Sequence, residues 1–246
     1  HRMEILLIRH AQSSNNALAD ERLRVVDPPL TELGLRQADL LARHLAEGSD
    51  NDTRPSEDER ANGGNGSGYR IDKLYCSAMH RALQTAWAVG EAKGIRPEVW
   101  VDIHEHGGMW LDHGAPEGIV GYPGMLRAEI EGEFPGMILP EAIGPQGWWD
   151  RRRGNESETD ATIRAVAVAE KLRGWAQATP DAHIALVTHG GFLTLLLRAL
   201  IGLPAGARVF FHHDNTGITR VRIWQDGYVS VRYQNRVAHL PGDMIS

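Results

Sequence analysis

Short, wholly apolar runs alternate along this chain with longer amphipathic stretches. Residues 5–8 are consecutive apolar positions that end on Arg9 and His10. A run of this kind, bounded by polar residues, predicts a strand buried on both faces. Residues 184–187 form a second run, ending on Thr188, His189 and two glycines. Residues 71–76 form a third and weaker one, ending at Ser77, and residues 99–103 a fourth, ending at His104 and Glu105. Between them the spacing predicts helices. Thr31 can cap one that carries Leu35, Ala38, Leu41, Ala42 and Leu45 on one face. Ser77 can cap another through Ala82, Ala86 and Val89, closing near Gly94. A long helix is expected over 159–178, with Glu158 and Asp160 at its start and Lys171 and Arg173 toward its end, a polarity that suits the helix dipole. The apolar stretch after Gly191 reads as a buried helix. Alternation of 221–224 and 229–233 about Asp226-Gly227 predicts a hairpin.

Alternating strands and helices closed by a hairpin predict an α/β fold, a three-layer α/β/α sandwich with a mixed, mostly parallel sheet. One domain over 3–246 is expected, with His1 and Arg2 lying ahead of Met3. Two segments interrupt the scheme. Residues 48–68 are rich in Gly, Asn, Asp and Glu and read as a flexible surface insertion. Residues 107–154 hold many glycines and prolines together with Trp110, Trp148 and Trp149, and read as an ordered cap or lid, with a short helix near 126–130.

Composition narrows the partners. The net charge is −6, which speaks against a nucleic-acid binder and requires any anion site to concentrate arginine locally. No apolar run reaches the roughly 20 residues of a bilayer span, so no membrane association is expected. Only four apolar residues separate Glu4 from Arg9, so no secretory leader is expected there. With the single cysteine Cys76 no internal disulfide can form, and a reducing, cytoplasmic setting is the expectation.

Four polar clusters close the four predicted strands: Arg9-His10, Ser77 to Arg81, His104-Glu105-His106 and His189-Gly190. The carboxyl edge of an open α/β sheet is where ligands bind. Two guanidiniums match phosphate oxygens, a neutral imidazole is a competent nucleophile toward phosphorus, a second imidazole, protonated, can neutralise developing charge, and a carboxyl group can protonate a leaving oxygen. Helix starts after Ser77 and Gly190 offer further N–H donors. A histidine at a strand end more often satisfies a backbone group; convergence of the whole set is what outweighs that reading here. The segments His104-Glu105-His106 and His212-His213-Asp214 are dense in metal ligands but lack the i, i+4 spacing of a helical zinc motif. His213 and Asn215 are expected near the pocket rim. Arg151-Arg152-Arg153 reads as a solvated loop, with contact to a second anionic group of the substrate as the alternative.

The order of these blocks resembles the histidine phosphatase superfamily, also called phosphoglycerate mutase-like. The matching residues are Arg9-His10-Ala11-Gln12-Ser13 with Asn16; Asp27-Pro28-Pro29-Leu30-Thr31 with Gly34 and Gln37-Ala38; Ser77, Arg81-Ala82 and Gln84-Thr85-Ala86; and Val187-Thr188-His189-Gly190-Gly191. Ala11 departs from the usual glycine. The resemblance implies a phosphatase that works through a phosphohistidine on His10. Arg9, Arg81 and His189 would bind the phosphoryl group, Glu105 would be the proton donor, and Ser13, Asn16 and Gly190 would line the phosphate pocket. It implies a small phosphomonoester as substrate and neither metal nor organic cofactor. The alternatives are phosphoglycerate mutase-type transfer, disfavoured because residues 18–26 lack the Arg-Phe-x-Gly-Trp segment of such mutases; a non-catalytic phospho-ligand binding module; and a metallohydrolase.

Overall fold

A computed structural model describes residues 1–48 and 68–246. The predicted flexible stretch 48–68 lies outside the described residues except for its two end glycines. Strands β1 (Arg2–Arg9), β2 (Lys73–Cys76), β3 (Glu98–Val99), β6 (His183–Thr188), β7 (Ile218–Trp224) and β8 (Val229–Arg236) build a six-stranded sheet in the order β3-β2-β6-β1-β7-β8. Four of these strands run parallel, and β7 and β8 add the antiparallel hairpin edge. This is the mixed, mostly parallel α/β sheet that the pattern predicts.

Alternation along β1 explains the layers. Leu6 and Ile8 enter one core with α1 (Glu32–Glu47) and α2 (His80–Lys93). Met3, Ile5 and Leu7 enter the opposite core with α4 (Glu158–Ala178) and α5 (Gly190–Leu200). A strand whose two faces are both covered must be apolar throughout, and 5–8 is. Between β3 and α4 lie a small separate hairpin, β4 (Trp110–Asp112) with β5 (Ile119–Gly121), and a short helix α3 (Arg127–Glu133) close to the expected one.

Three local expectations are corrected. The fourth run keeps only Glu98–Val99 as strand and turns into a 3-10 helix over Val101–Ile103, because beyond Cys76 no further residue of β2 pairs with it. Leu35 faces outward at 53% exposure, while Gly34 and Gln37 take the buried stripe of α1. Ser77 does not cap α2; the helix begins three residues later, and Asp27 Oδ1 accepts from the His80 N–H at 2.9 Å.

Candidate active site

Strand register places the first and last of the four clusters side by side. β1 pairs with β6 so that Arg9 lies opposite Thr188. The ladder continues one step beyond the strands, with the His10 N–H bonding to Thr188 O at 2.9 Å and the Ser77 N–H to Val187 O at 3.0 Å. His10, Ser77 and His189 therefore emerge together at the carboxyl edge. The rings of His10 and His189 have centroids 5.0 Å apart, and both residues are buried.

His10 is held in one tautomer. Its Nδ1 lies 2.6 Å from Ala11 O, so Nδ1 carries the proton and Nε2 keeps its lone pair. Arg81 Nε donates toward that Nε2 at 3.1 Å. Burial, then the Arg81 and Arg9 guanidiniums, hold the His10 imidazole well below the usual histidine range. The Ala11 N–H donates to Thr85 Oγ1 at 3.0 Å, and Asn215 Nδ2 donates to His10 O at 3.0 Å. Thr85 sits in a block that the sequence singles out, but its service as acceptor for Ala11 was not legible from it.

His189 places Nε2 2.8 Å from Ser77 Oγ. Burial, then Arg81, push its imidazole well below the ordinary range. Its Nδ1 and Arg9 Nε are, among the described residues, buried polar atoms without a hydrogen-bond partner. Ser77 Oγ accepts from the Met79 N–H, so its own proton can go to His189 Nε2, which leaves Nδ1 as a donor beside Arg9 Nε; buried unpaired donors are costly unless an acceptor comes to them. Arg9 is anchored by its other end, Nη1 donating to His213 O at 2.5 Å. Gly190 packs beside that side chain, where a Cβ would stand in ordinary van der Waals contact, 3.5 Å from Arg9 Nε. The Asp27 carboxyl is raised by its burial and pulled back by Arg81.

Glu105 does reach the same edge, by an unforeseen route. Its Oε1 accepts from the N–H groups of His106 and Phe192, each at 2.8 Å, and its Oε2 accepts from Gly191 at 3.2 Å. The carboxylate thus caps α5, and it is in electrostatic range of Arg9 and Arg81. The start of α5 is consequently occupied by Glu105, as the start of α2 is by Asp27, rather than open to an anion as expected. Gly107 and Gly108 follow at φ +96 and +76, and a Cβ on Gly108 would stand 2.4 Å from the Trp149 ring, so only glycine lets the chain turn away there. Gly191 has a similar constraint: a Cβ would stand 2.7 Å from Glu105 Oε1. Gly191→Ala is expected to push that carboxylate aside, lowering kcat on alkyl phosphates roughly tenfold while the melting temperature holds or rises with the gain in helix propensity; kinetics and a thermal melt check it.

Ser13 and Asn16 are brought near His10 but spend themselves on each other. Asn16 Oδ1 accepts from the Ser13 N–H at 3.0 Å and from Ser13 Oγ at 2.9 Å, and Asn215 Nδ2 approaches it at 3.4 Å. The two dense ligand segments disperse. His104 Nδ1 turns to Glu105 O, His212 pairs with Asp214, and His213 engages Phe211 O and Thr219 Oγ1. The indole rings of Trp148 and Trp149 pack against His104, with ring centroids 5.4 and 5.3 Å away, and Arg153 lies over Trp149 at 4.5 Å.

Paired imidazoles, two guanidiniums and a carboxylate thus meet at one edge of the parallel sheet. The family model of the histidine phosphatase superfamily (branch 1) matches residues 5–62 and 57–236. The chain belongs to that superfamily. It is 28% identical over 210 residues to a glucosyl-3-phosphoglycerate phosphatase of Mycolicibacterium vanbaalenii, covering 81% of this chain and 75% of the relative. It is 29% identical over 223 residues to phosphoserine phosphatase 1 of Hydrogenobacter thermophilus, covering 90% and 87%. The solved structure of a mycobacterial glucosyl-3-phosphoglycerate phosphatase shares the fold, with a TM-score of 0.55 at 20% identity over 96% of this chain and 100% of that one.

Proposed function

We propose that this chain hydrolyses a small phosphomonoester through a phosphohistidine on His10. The observation that carries the reading is that His10 Nε2, approached by Arg81 Nε at 3.1 Å, shares its sheet edge with Arg9 Nε and His189 Nδ1, two buried nitrogens that no protein group among the described residues engages. A phosphoryl group supplies acceptors for both donors and an electrophile for the lone pair. His10 Nε2 attacks phosphorus in line; the N–P bond forms as the P–O bond to the leaving group breaks. Glu105 gives its proton to the departing oxygen. Water then attacks the phosphohistidine, returns a proton to Glu105, and releases phosphate and the free imidazole. Arg9, Arg81 and His189 stabilise the charge on the equatorial oxygens, so the reaction as drawn needs no metal ion.

Phosphatase relatives support hydrolysis over transfer, and the glucosyl-3-phosphoglycerate and phosphoserine named for them point to phosphorylated small molecules that also carry a carboxylate. We read residues 107–154 as the cap that selects among such molecules and 3–246 as one domain. No helix among the described residues is long and apolar enough to cross a membrane; the expected cytoplasmic setting belongs to this reading, supported by the buried free thiol of Cys76.

A panel of phosphoserine, 3-phosphoglycerate, glucosyl-3-phosphoglycerate and p-nitrophenyl phosphate tests the proposal. Inorganic phosphate release that survives a chelator is expected. Isomer formation from a phosphoglycerate without phosphate release would favour mutase transfer. Vanadate binding with no turnover on any substrate would favour a binding module.

A further inference from the structure

The loop that presents Glu105 is held by a buried ion pair that the reaction itself does not use. Arg164 lies on α4 and Glu156 just before it, and their side chains are 12% and 2% exposed. The pair is bidentate, with Arg164 Nε donating to Glu156 Oε1 at 2.9 Å and Nη2 to Oε2 at 2.7 Å. The remaining arm of the fork, Nη1, donates to Asp102 O at 2.7 Å and to His104 O at 3.0 Å. Glu156 takes the other side of the loop. Its Oε2 accepts from the Gly107 N–H at 3.4 Å, and its own N–H donates to Gly107 O at 2.8 Å. The guanidinium also covers the Phe192 ring at 4.7 Å, and the Phe192 N–H is one of the donors that fix the Glu105 carboxylate. Restraints before Glu105, after it and on its side chain thus meet at one guanidinium.

We propose that Arg164, with Glu156, is a positioning residue for the proton donor: it fixes the 102–107 backbone so that the Glu105 carboxyl stays at the sheet edge, within range of Arg9 and Arg81. The inference rests on the reading of Glu105 as that donor. A planar fork is required, because only a guanidinium can serve a carboxylate and two backbone carbonyls in fixed directions. A merely structural clamp would affect every substrate alike. A positioning role affects those whose leaving group needs a proton.

The test compares kcat/KM, which ends at departure of the leaving group and so omits the hydrolysis step in which Glu105 serves every substrate as base, on a primary alkyl phosphate, whose alkoxide leaves poorly, and on p-nitrophenyl phosphate, whose phenolate leaves unaided. The proteins are wild type, Glu105→Gln, Arg164→Lys and the double variant Arg164→Met with Glu156→Gln. The double variant removes both charges together, so neither is left buried alone. Arg164→Lys keeps the charge, and with it the fold, while giving up the fork. The double variant is expected to lose roughly 30-fold or more on the alkyl phosphate and less than about threefold on p-nitrophenyl phosphate, with Arg164→Lys between it and wild type. Glu105→Gln is expected to show the same selectivity, larger. Equal losses on both substrates, or none, in the Arg164 variants beside a selective Glu105→Gln would overturn the positioning role alone. A Glu105→Gln variant without selectivity would overturn the donor assignment and, with it, this inference.

Discussion

His10→Ala is expected to lose roughly 10⁴-fold or more in kcat on every substrate, about 5 kcal/mol of barrier, with an unchanged or slightly raised melting temperature. The loss is large because the variant has no atom to form the N–P bond, and the remaining donors can only bind. The stability forecast follows from the electrostatics. The His10 imidazole is held neutral by its burial and by two nearby guanidiniums, so it is not their counter-ion, and its removal leaves no unpaired carboxylate. Its backbone bonds to Thr188 O and from Asn215 Nδ2 remain. Circular dichroism and steady-state kinetics on the same preparation separate the two effects. Full activity in a folded variant would remove His10 from the reaction.

The second large effect is on acid stability. His104, His213 and His239 are each pushed down to about 4, in every case mainly by burial. A histidine whose folded value lies below its unfolded 6.5 binds fewer protons folded than unfolded between the two. Stability therefore rises with pH across that window and is lost as pH falls from 6.5 toward 4. By pH 5 each such ring costs about 2 kcal/mol, against a total on the order of 5–15 kcal/mol for a domain. His10 and His189, both held well below the ordinary range, act in the same direction. Urea melts in phosphate-free buffer are expected to show several kcal/mol less stability at pH 5 than at pH 7. A flat profile between those values would show that these rings are hydrated or paired in ways the fold does not suggest.

The chemistry of this chain was more legible in its sequence than the supports of that chemistry. Apolar runs that stop at Arg9-His10, Ser77 and His189 mark strand ends, and strand ends of a parallel sheet share an edge; the register of β1 with β6 then leaves His10 beside His189. Periodicity cannot report what a polar side chain will bond. Ser77 has the composition of a helix cap, yet its hydroxyl faces His189. Glu105 was readable as an acid closing the fourth apolar run, while its three backbone N–H partners belong to its own loop and to a helix 85 positions on, visible only after folding. Ser13 and Asn16 match the pocket positions of the family, and here they bond one another. Arg164 had a faint signal: a cation beside Ala161, Ala165 and Val168, the buried stripe of α4, invites the question of its partner. The answer lay in Glu156, ahead of the helix, where no helical spacing points.

The most direct measurement is to mix enzyme with a turned-over phosphomonoester, quench in alkali within the first turnovers so that a P–N bond survives, and map the modified peptide by mass spectrometry. A phosphoryl group on His10, absent in His10→Ala and accumulating more slowly when Arg81 is replaced, is the predicted result. Turnover with no labelled peptide, or with the label on another residue, would contradict it.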